Sequence, residues 1–233
     1  MKRIFLFGAV VVASATMLAS CCNSNNSATP ALKTDLDTLA YAIGYDMGAQ
    51  IKNIDSTINP NVIASGIRDY IAGSSKMTKE DMRKFMEEYF MVRVPMKNAQ
   101  ASKEFLAKVE KEEGVVKTES GLLYKVLEPG LEDRPTSLQD TVMVHYKGML
   151  KNGKKFESSH DAGNDPVQFP LDRVIKGWGE GLQHVGKGGK IILYIPAELA
   201  YGERGAGVFI GPNEALIFEV ELLDVAHAKG EKK

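Results

Sequence analysis

Val144-His145-Tyr146-Lys147-Gly148-Met149-Leu150, followed by Gly153-Lys154-Lys155-Phe156-Glu157-Ser158-Ser159, is the stretch on which the fold turns. Val142, Val144 and Tyr146 alternate with Met143, His145 and Lys147, the period-two pattern of a half-buried antiparallel strand. The same period extends in both directions. Upstream, Leu122, Tyr124 and Val126 alternate with Leu123, Lys125 and Leu127; downstream, Leu216, Phe218, Val220 and Leu222 share one face while Glu219 and Glu221 fall on the other. From Ser120 onward the single helical insertion is short, about Lys176 to His184. An antiparallel sheet wrapped around one short helix follows.

Further along stand Val174-Ile175-Lys176-Gly177-Trp178, Ala200-Tyr201-Gly202 and Phe218-Glu219-Val220-Glu221-Leu222-Leu223. No single motif is rare, but their order and spacing over roughly eighty residues would let one concave site gather several aromatic rings. The series closely resembles the FKBP-type peptidyl-prolyl cis–trans isomerases. The resemblance implies that family's fold and activity (EC 5.2.1.8), with no cofactor and no metal, acting on proline-containing polypeptides. By position, it implies Trp178 as the floor on which a proline ring rests, with Tyr146, Phe156, Val174, Ile175 and Phe218 as walls. The backbone N–H of Ile175 and the hydroxyl of Tyr201 become donors to peptide carbonyls, and Glu157 the carboxylate at the pocket edge. Phe209 and Ile210 occupy the covering loop, and Val167 sits beside Phe169 where many relatives carry an aromatic residue.

Two departures from the family pattern stand out. Glu157 replaces the commoner Asp, and the loop Gly205–Asn213 has Gly207 and Gly211 where Pro is commoner, which predicts a more mobile flap. Trp178 lies among Gly177, Gly179 and Gly181, each of which costs a helix about 1 kcal/mol relative to Ala. On residue type alone such a Trp suits a core as readily as a site; the surrounding motifs favour the site.

Rotation about an X–Pro bond crosses a barrier near ~18–20 kcal/mol, because the twisted amide loses its resonance. The planar amide is the more dipolar form, so a water-poor aromatic pocket disfavours it relative to the twisted one. Contacts to neighbouring residues can hold the peptide bent toward the crossing point. This chemistry asks for no nucleophile or metal. His145, His160, His184 and His227 have no ligand spacing. Gly186-Lys187-Gly188-Gly189-Lys190 lacks the phosphate-loop pattern, and Ser158 and Ser159 have no nucleophile elbow around them.

From Asp35 the pattern is helical, with Leu36, Leu39, Ala40, Ile43, Met47 and Ile51 on one stripe and Gly44 and Gly48 four apart. A second helix starts at Asn59-Pro60 and ends near Gly73, with Val62, Ile63, Ile67, Tyr70 and Ile71 as its stripe. A third opens at Thr78, with Asp81 three residues on, and runs toward Gly114; Pro95 should kink or break it. Its first half carries Met82, Phe85, Met86 and Tyr89. Beyond Pro95 the stripe thins to Met96, Ala99, Phe105, Leu106 and Val109, and that half reads as a solvated strut.

Helices this short either pack on the C-terminal domain or on another copy of themselves. Leu39-Ala40-Tyr41-Ala42-Ile43-Gly44-Tyr45 is similar to the dimerisation region of the macrophage-infectivity-potentiator-like branch of the same family. That resemblance implies a homodimer through residues 34–114. A second functional reading is a holding chaperone or binding module with weak or no isomerase activity.

The N-terminus is an address segment. Lys2 and Arg3 precede an apolar run from Ile4 to Leu18, short for a membrane span. Leu18-Ala19-Ser20-Cys21 resembles the bacterial lipobox, which implies lipidation of Cys21, export and a lipid anchor to a membrane of the cell envelope facing the periplasm. An ordinary secretory signal cut nearby is the alternative. The expected organisation is a signal at 1–20, a flexible tether at 21–33, a helical region at 34–114, an isomerase domain at 115–228 and a tail at 229–233, an α+β arrangement. No cysteine follows Cys22, so the exported domain has no disulfide and depends on its core. Without Lys2 and Arg3 the chain has 27 basic residues against 30 acidic and no basic cluster, which speaks against nucleic acid.

Overall fold

The computed structural model describes residues 31–163 and 165–228, apart from the side chains of Asn53 and Ala162. The expectations for the signal segment, for Cys21, for the tether up to residue 30 and for the tail at 229–233 lie outside these residues. Two compact units divide between Ile51 and Lys52.

The first unit contributes most of α1 (Asp35–Ile54). Thr34 and Asp37 close its start reciprocally: the Asp37 N–H donates to the Thr34 hydroxyl at 3.1 Å and the Thr34 N–H to the Asp37 carboxylate at 2.9 Å. Leu36, Leu39 and Ile43 on its stripe are all more than half exposed.

The second unit opens with α2 (Pro60–Ile71), whose cap residue Asn59 accepts from the Asn61 N–H at 2.9 Å. Thr78 caps α3 (Lys79–Glu88) by accepting from the Asp81 N–H at 3.1 Å. Neither helix buries a residue.

The chain is not broken at Pro95. A π turn at Tyr89–Arg93 joins α3 directly to α4 (Val94–Val109), with Pro95 in the first turn of α4. A wider turn ahead of Pro95 accommodates a ring that would otherwise clash with the carbonyl four residues back. Nor is α4 a free strut. Its face of Val94, Asn98, Ala101, Ser102, Phe105, Leu106 and Val109 is wholly or partly covered. Val109 packs with Leu123 and Tyr194 of the sheet, and Phe105, Leu106, Ile192 and Ile217 surround them. Met96 and Ala99, counted on the apolar stripe by type, are exposed.

The sheet consists of β1 (Val116–Lys117), β2 (Leu123–Glu128), β3 (Thr141–Leu150), β4 (Lys155–Ser158), β5 (Val167–Pro170), β6 (Lys190–Ile195) and β7 (Leu216–Ala226). All pairings are antiparallel, in the order β1-β2-β6-β7-β3-β4, and β5 joins the same β3 that carries β4. β4 covers Lys147 to Met149, while β5 covers Thr141 to Val144. The long β3 thus spans both ends of the site.

α5 (Lys176–Gly181) and the one-turn 3-10 helix Leu182–His184 coincide with the expected insertion. Further one-turn 3-10 pieces, such as Leu171–Arg173 and Gly202–Arg204, sit in the connections. The glycines of α5 have a packing role. A Cβ at Gly177 would lie 2.4 Å from Ile195 Cγ2, and one at Gly181 2.5 Å from Leu193 Cδ2. Glycine lets α5 rest directly on β6, where any side chain would push it off. The core between them gathers Val142, Val144, Leu171, Leu182, Leu193, Leu216 and Leu222, each at most 2% exposed.

Candidate active site

Tyr146 takes its place from β3, and its backbone is pinned from the neighbouring connection. The Ser159 hydroxyl, buried, accepts from the Tyr146 N–H at 3.0 Å and lies 3.1 Å from His145 Nδ1; the Ser158 hydroxyl donates to the Tyr146 carbonyl at 3.2 Å. The serine–histidine run is therefore a brace for Tyr146.

Trp178 projects from the middle of α5 and is 3% exposed. Three rings stand perpendicular to its plane: Tyr146 at 5.2 Å and 85°, Phe218 at 5.3 Å and 89°, and Phe169 at 5.8 Å and 89°. Edge-to-face contact sets the positive rim of one ring against the negative face of another, so the cluster is attractive as well as close-packed. Phe156 stands edge-on to Phe218 at 5.7 Å. Gly148 makes room for both: a Cβ there would lie 2.7 Å from Phe156 Cζ and 2.9 Å from Phe218 Cε1.

Above these rings opens a concavity of about 460 Å³ lined by Tyr146, Glu157, Phe169, Arg173, Val174, Ile175, Trp178, Tyr201 and Phe218. A prolyl side chain with its flanking peptide fits that volume. Several sequence-selected residues thus share one hollow. Phe156 stands behind Phe218, and Val167 packs against the core opposite Val144. Phe209 is 49% exposed on its loop, whereas Ile210 is buried in the core and pairs with Ala206; neither lines the hollow.

Arg173 was not among the residues chosen from sequence. It ends the 3-10 turn ahead of Val174 and keeps its side chain 80% exposed, 3.7 Å from Asp172. Its adjacency to Val174 was the only sequence signal. Larger hollows lie beside α4 and on the outer sheet face, but they lack this ring cluster.

Burial first, and then the neighbouring Glu157 carboxylate, pushes the Tyr146 hydroxyl well above the ordinary tyrosine range. Burial and the Glu157 charge raise Tyr201 in the same order. Both hydroxyls remain protonated donors at neutral pH. The Trp178 Nε1 is buried with no hydrogen-bond partner among the described residues. Ile175 precedes α5 with extended backbone; its carbonyl accepts from Trp178 N at 2.9 Å, and its own N–H donates to no acceptor among the described residues. The site therefore presents an apolar floor, a carboxylate at one edge, and a free backbone donor and a phenol at its sides. No group of three or more His, Cys, Asp or Glu side chains is placed to hold a metal among the described residues.

Comparison with known proteins agrees with this geometry. Residues 132–223 match the family described as FKBP-type peptidyl-prolyl cis-trans isomerase, and residues 36–126 match the domain found amino-terminal to it. The chain is 40% identical to the peptidyl-prolyl cis-trans isomerase Mip of Coxiella burnetii, over 86% of its own length and 90% of that protein's. It is 37% identical to the FKBP-type isomerase FkpA of Escherichia coli K12, over 85% and 78% respectively. The crystal structure of Escherichia coli FkpA superimposes with a TM-score of 0.57, at 37% identity, covering 85% of this chain and 100% of that one. Ring-floored hollow, antiparallel sheet and amino-terminal helices together place this chain in the family of FKBP-type peptidyl-prolyl cis–trans isomerases, in the branch of Mip and FkpA.

Proposed function

We propose that isomerisation takes place in the hollow floored by Trp178, with the proline ring seated on the indole between Tyr146, Phe169, Val174 and Phe218. The supporting observation is the perpendicular arrangement of Tyr146, Phe169 and Phe218 around one nearly buried indole that still borders an open concavity. A planar X–Pro amide carries a large dipole and leaves water poorly compensated here. The twisted amide, with its lone pair returned to nitrogen, is less dipolar and suffers less. The Ile175 N–H and the Tyr201 hydroxyl take peptide carbonyls on the two sides, so binding energy from flanking residues holds the chain near the crossing geometry. Lowering the barrier by roughly 5–7 kcal/mol would speed exchange by about four to five decades. Phe156 supports Phe218 from behind, and Phe209, Ile210 and Val167 shape the surrounding loop and wall. A proline-isomerisation assay on Trp178→Ala and Tyr201→Phe tests the assignment; unchanged activity in both would remove it.

We further propose that residues 34–114 form a homodimer. The support is physical: Tyr45, Val62, Tyr70, Ile71, Met82, Phe85 and Met86 are all exposed on helices that bury none of their residues in α2 and α3. Such surface is costly to leave in water. Phe85→Asp with Ile67→Asp should yield monomers by sedimentation. The same apolar faces support a second reading, in which the helices hold unfolded clients. Suppression of aggregation of a proline-free client by the monomeric variant would favour it.

Export and lipidation at Cys21 complete the proposal, placing the isomerase on a bacterial envelope membrane, facing the periplasm and acting on exported chains. A relative, from Legionella longbeachae, is described as outer membrane protein MIP. Bacterial lipidation supplies several acyl chains, enough for firm anchoring at about 0.8 kcal/mol per buried CH₂. Cys21→Ser should abolish incorporation of labelled palmitate and release the protein from membranes.

A further inference from the structure

The loop that follows Tyr201 is held from behind by α4. Its base is closed where the Asn213 N–H donates to the Gly202 carbonyl at 2.9 Å, and its tip by reciprocal bonds between Ala206 and Ile210 at 2.8 and 3.1 Å. Gly205 permits the closure: at φ +65° a Cβ there would lie 2.2 Å from the Ile210 carbonyl oxygen. Asn213 is itself held at φ 57°, the left-handed region that non-glycine residues seldom occupy.

The agent holding Asn213 is Ser102, a polar side chain on α4 that is only 6% exposed. Its hydroxyl donates to the Asn213 carbonyl at 2.8 Å and accepts from the Ala215 N–H at 2.9 Å. One turn earlier, the Asn98 amide donates to the Pro212 carbonyl at 2.9 Å. The Asn213 amide returns a bond to the Pro95 carbonyl at 3.4 Å. The route from Ser102 to Tyr201 is thus short: through the Asn213 backbone to Gly202, the residue bonded to Tyr201.

We propose that Ser102 and Asn98 are positioning residues for the isomerase site, fixing Tyr201 and the covering loop through Asn213. The linking helix thereby serves as the back wall of the substrate loop. The inference rests on the reading of Tyr201 as a donor to the bound peptide. Loss of the Ser102 hydroxyl leaves the Asn213 carbonyl and the Ala215 N–H without a partner, and the loop base relaxes.

The test uses the full-length protein and a short chromogenic X–Pro peptide. Ser102→Ala should raise KM about three- to tenfold while kcat moves less than about twofold, because binding geometry and not the chemical step is disturbed. Asn98→Ala, a partly exposed position that is less exposed to folding loss, should raise KM about two- to threefold. The double variant Ser102→Ala with Tyr201→Phe should match Tyr201→Phe alone, since both act through one hydroxyl. Amide exchange at residues 202–213 should quicken about tenfold in Ser102→Ala, with β6 and β7 unchanged. Additive effects in the double variant, or unchanged loop exchange in Ser102→Ala, would overturn the positioning role. A Tyr201→Phe variant with unaltered KM would instead overturn the reading of Tyr201 on which the proposal stands, and loop exchange would still report separately on the Ser102 contact.

Discussion

The rings of Tyr146 and Trp178 meet edge to face, 5.2 Å between centroids and 85° between planes. Tyr146 comes from the middle of the longest inner strand and Trp178 from the only α-helix between strands, so this contact joins the sheet to the helix it wraps. It also sets the depth of the hollow, because the phenol edge limits how far a ligand can slide over the indole.

Trp178→Ala should therefore do two kinds of damage. Removing a large buried ring costs about 3–5 kcal/mol in comparable cores, and the floor disappears. Trp178→Phe separates the two effects. Thermal denaturation should show most of the stability retained, while kcat/KM falls about tenfold or more.

Gly148→Ala attacks the pocket from outside. Its new methyl would overlap Phe156 and Phe218, whose rings must tilt into the hollow. The expected cost in stability is about 1–3 kcal/mol, and activity should fall further than that of a comparable strand glycine variant away from the rings. A crystal structure with both rings unmoved and normal activity would contradict this.

The two phenols predict the pH profile. Burial, then Glu157, holds Tyr146 above the usual range, and burial, then Glu157, does the same for Tyr201. Neither hydroxyl ionises below its ordinary value of about 10. We expect kcat/KM to stay flat from about pH 6 to 9. Glu157→Gln should leave that plateau flat while changing its height.

Stability, by contrast, should vary with pH through Asp140 and His227. Asp140 is buried, which opposes its charge. Donation from the backbone of Ala228, Thr136 and Ser137 and from His227 outweighs that and lowers it to about 2. Its stabilisation is present above the ordinary carboxylate range and is lost as pH falls through about 2. His227 is raised by hydrogen bonds to Asp133 and then Asp140. Its share is fully present below its unfolded value of about 6.5 and is lost as pH rises through the raised folded value. Melting temperature measured against pH should thus fall at both ends. His227→Gln should remove the alkaline decline selectively.

The alternation around Tyr146 and Phe218 made the sheet legible, since one buried face leaves a period-two trace in residue type. The helix caps at Asn59 and Thr78 were equally readable, because capping depends on short-range chemistry. Pro95 misled, since a residue that clashes with a regular turn can be accommodated by a wider one, and that choice is made by neighbours. The docked face of α4 was hidden for a different reason. Two of its contact residues, Asn98 and Ser102, are polar and bind loop carbonyls more than 100 positions away. A hydropathy pattern cannot register such contacts. At the site, the perpendicular rings were implied by family resemblance, whereas Arg173 at the rim and the glycine fit of α5 on β6 needed three dimensions.

The π turn at Tyr89–Arg93 has one more consequence. Each residue advances an α-helix by about 100° in azimuth, so one surplus residue shifts the angular phase of everything after it. Met82, Phe85 and Met86 on one side, and Ser102, Phe105 and Val109 on the other, are thereby aimed independently along a single rod. Deleting one residue between Tyr89 and Arg93 would barely shorten that rod. It would re-clock one half against the other, like slipping a gear by a tooth.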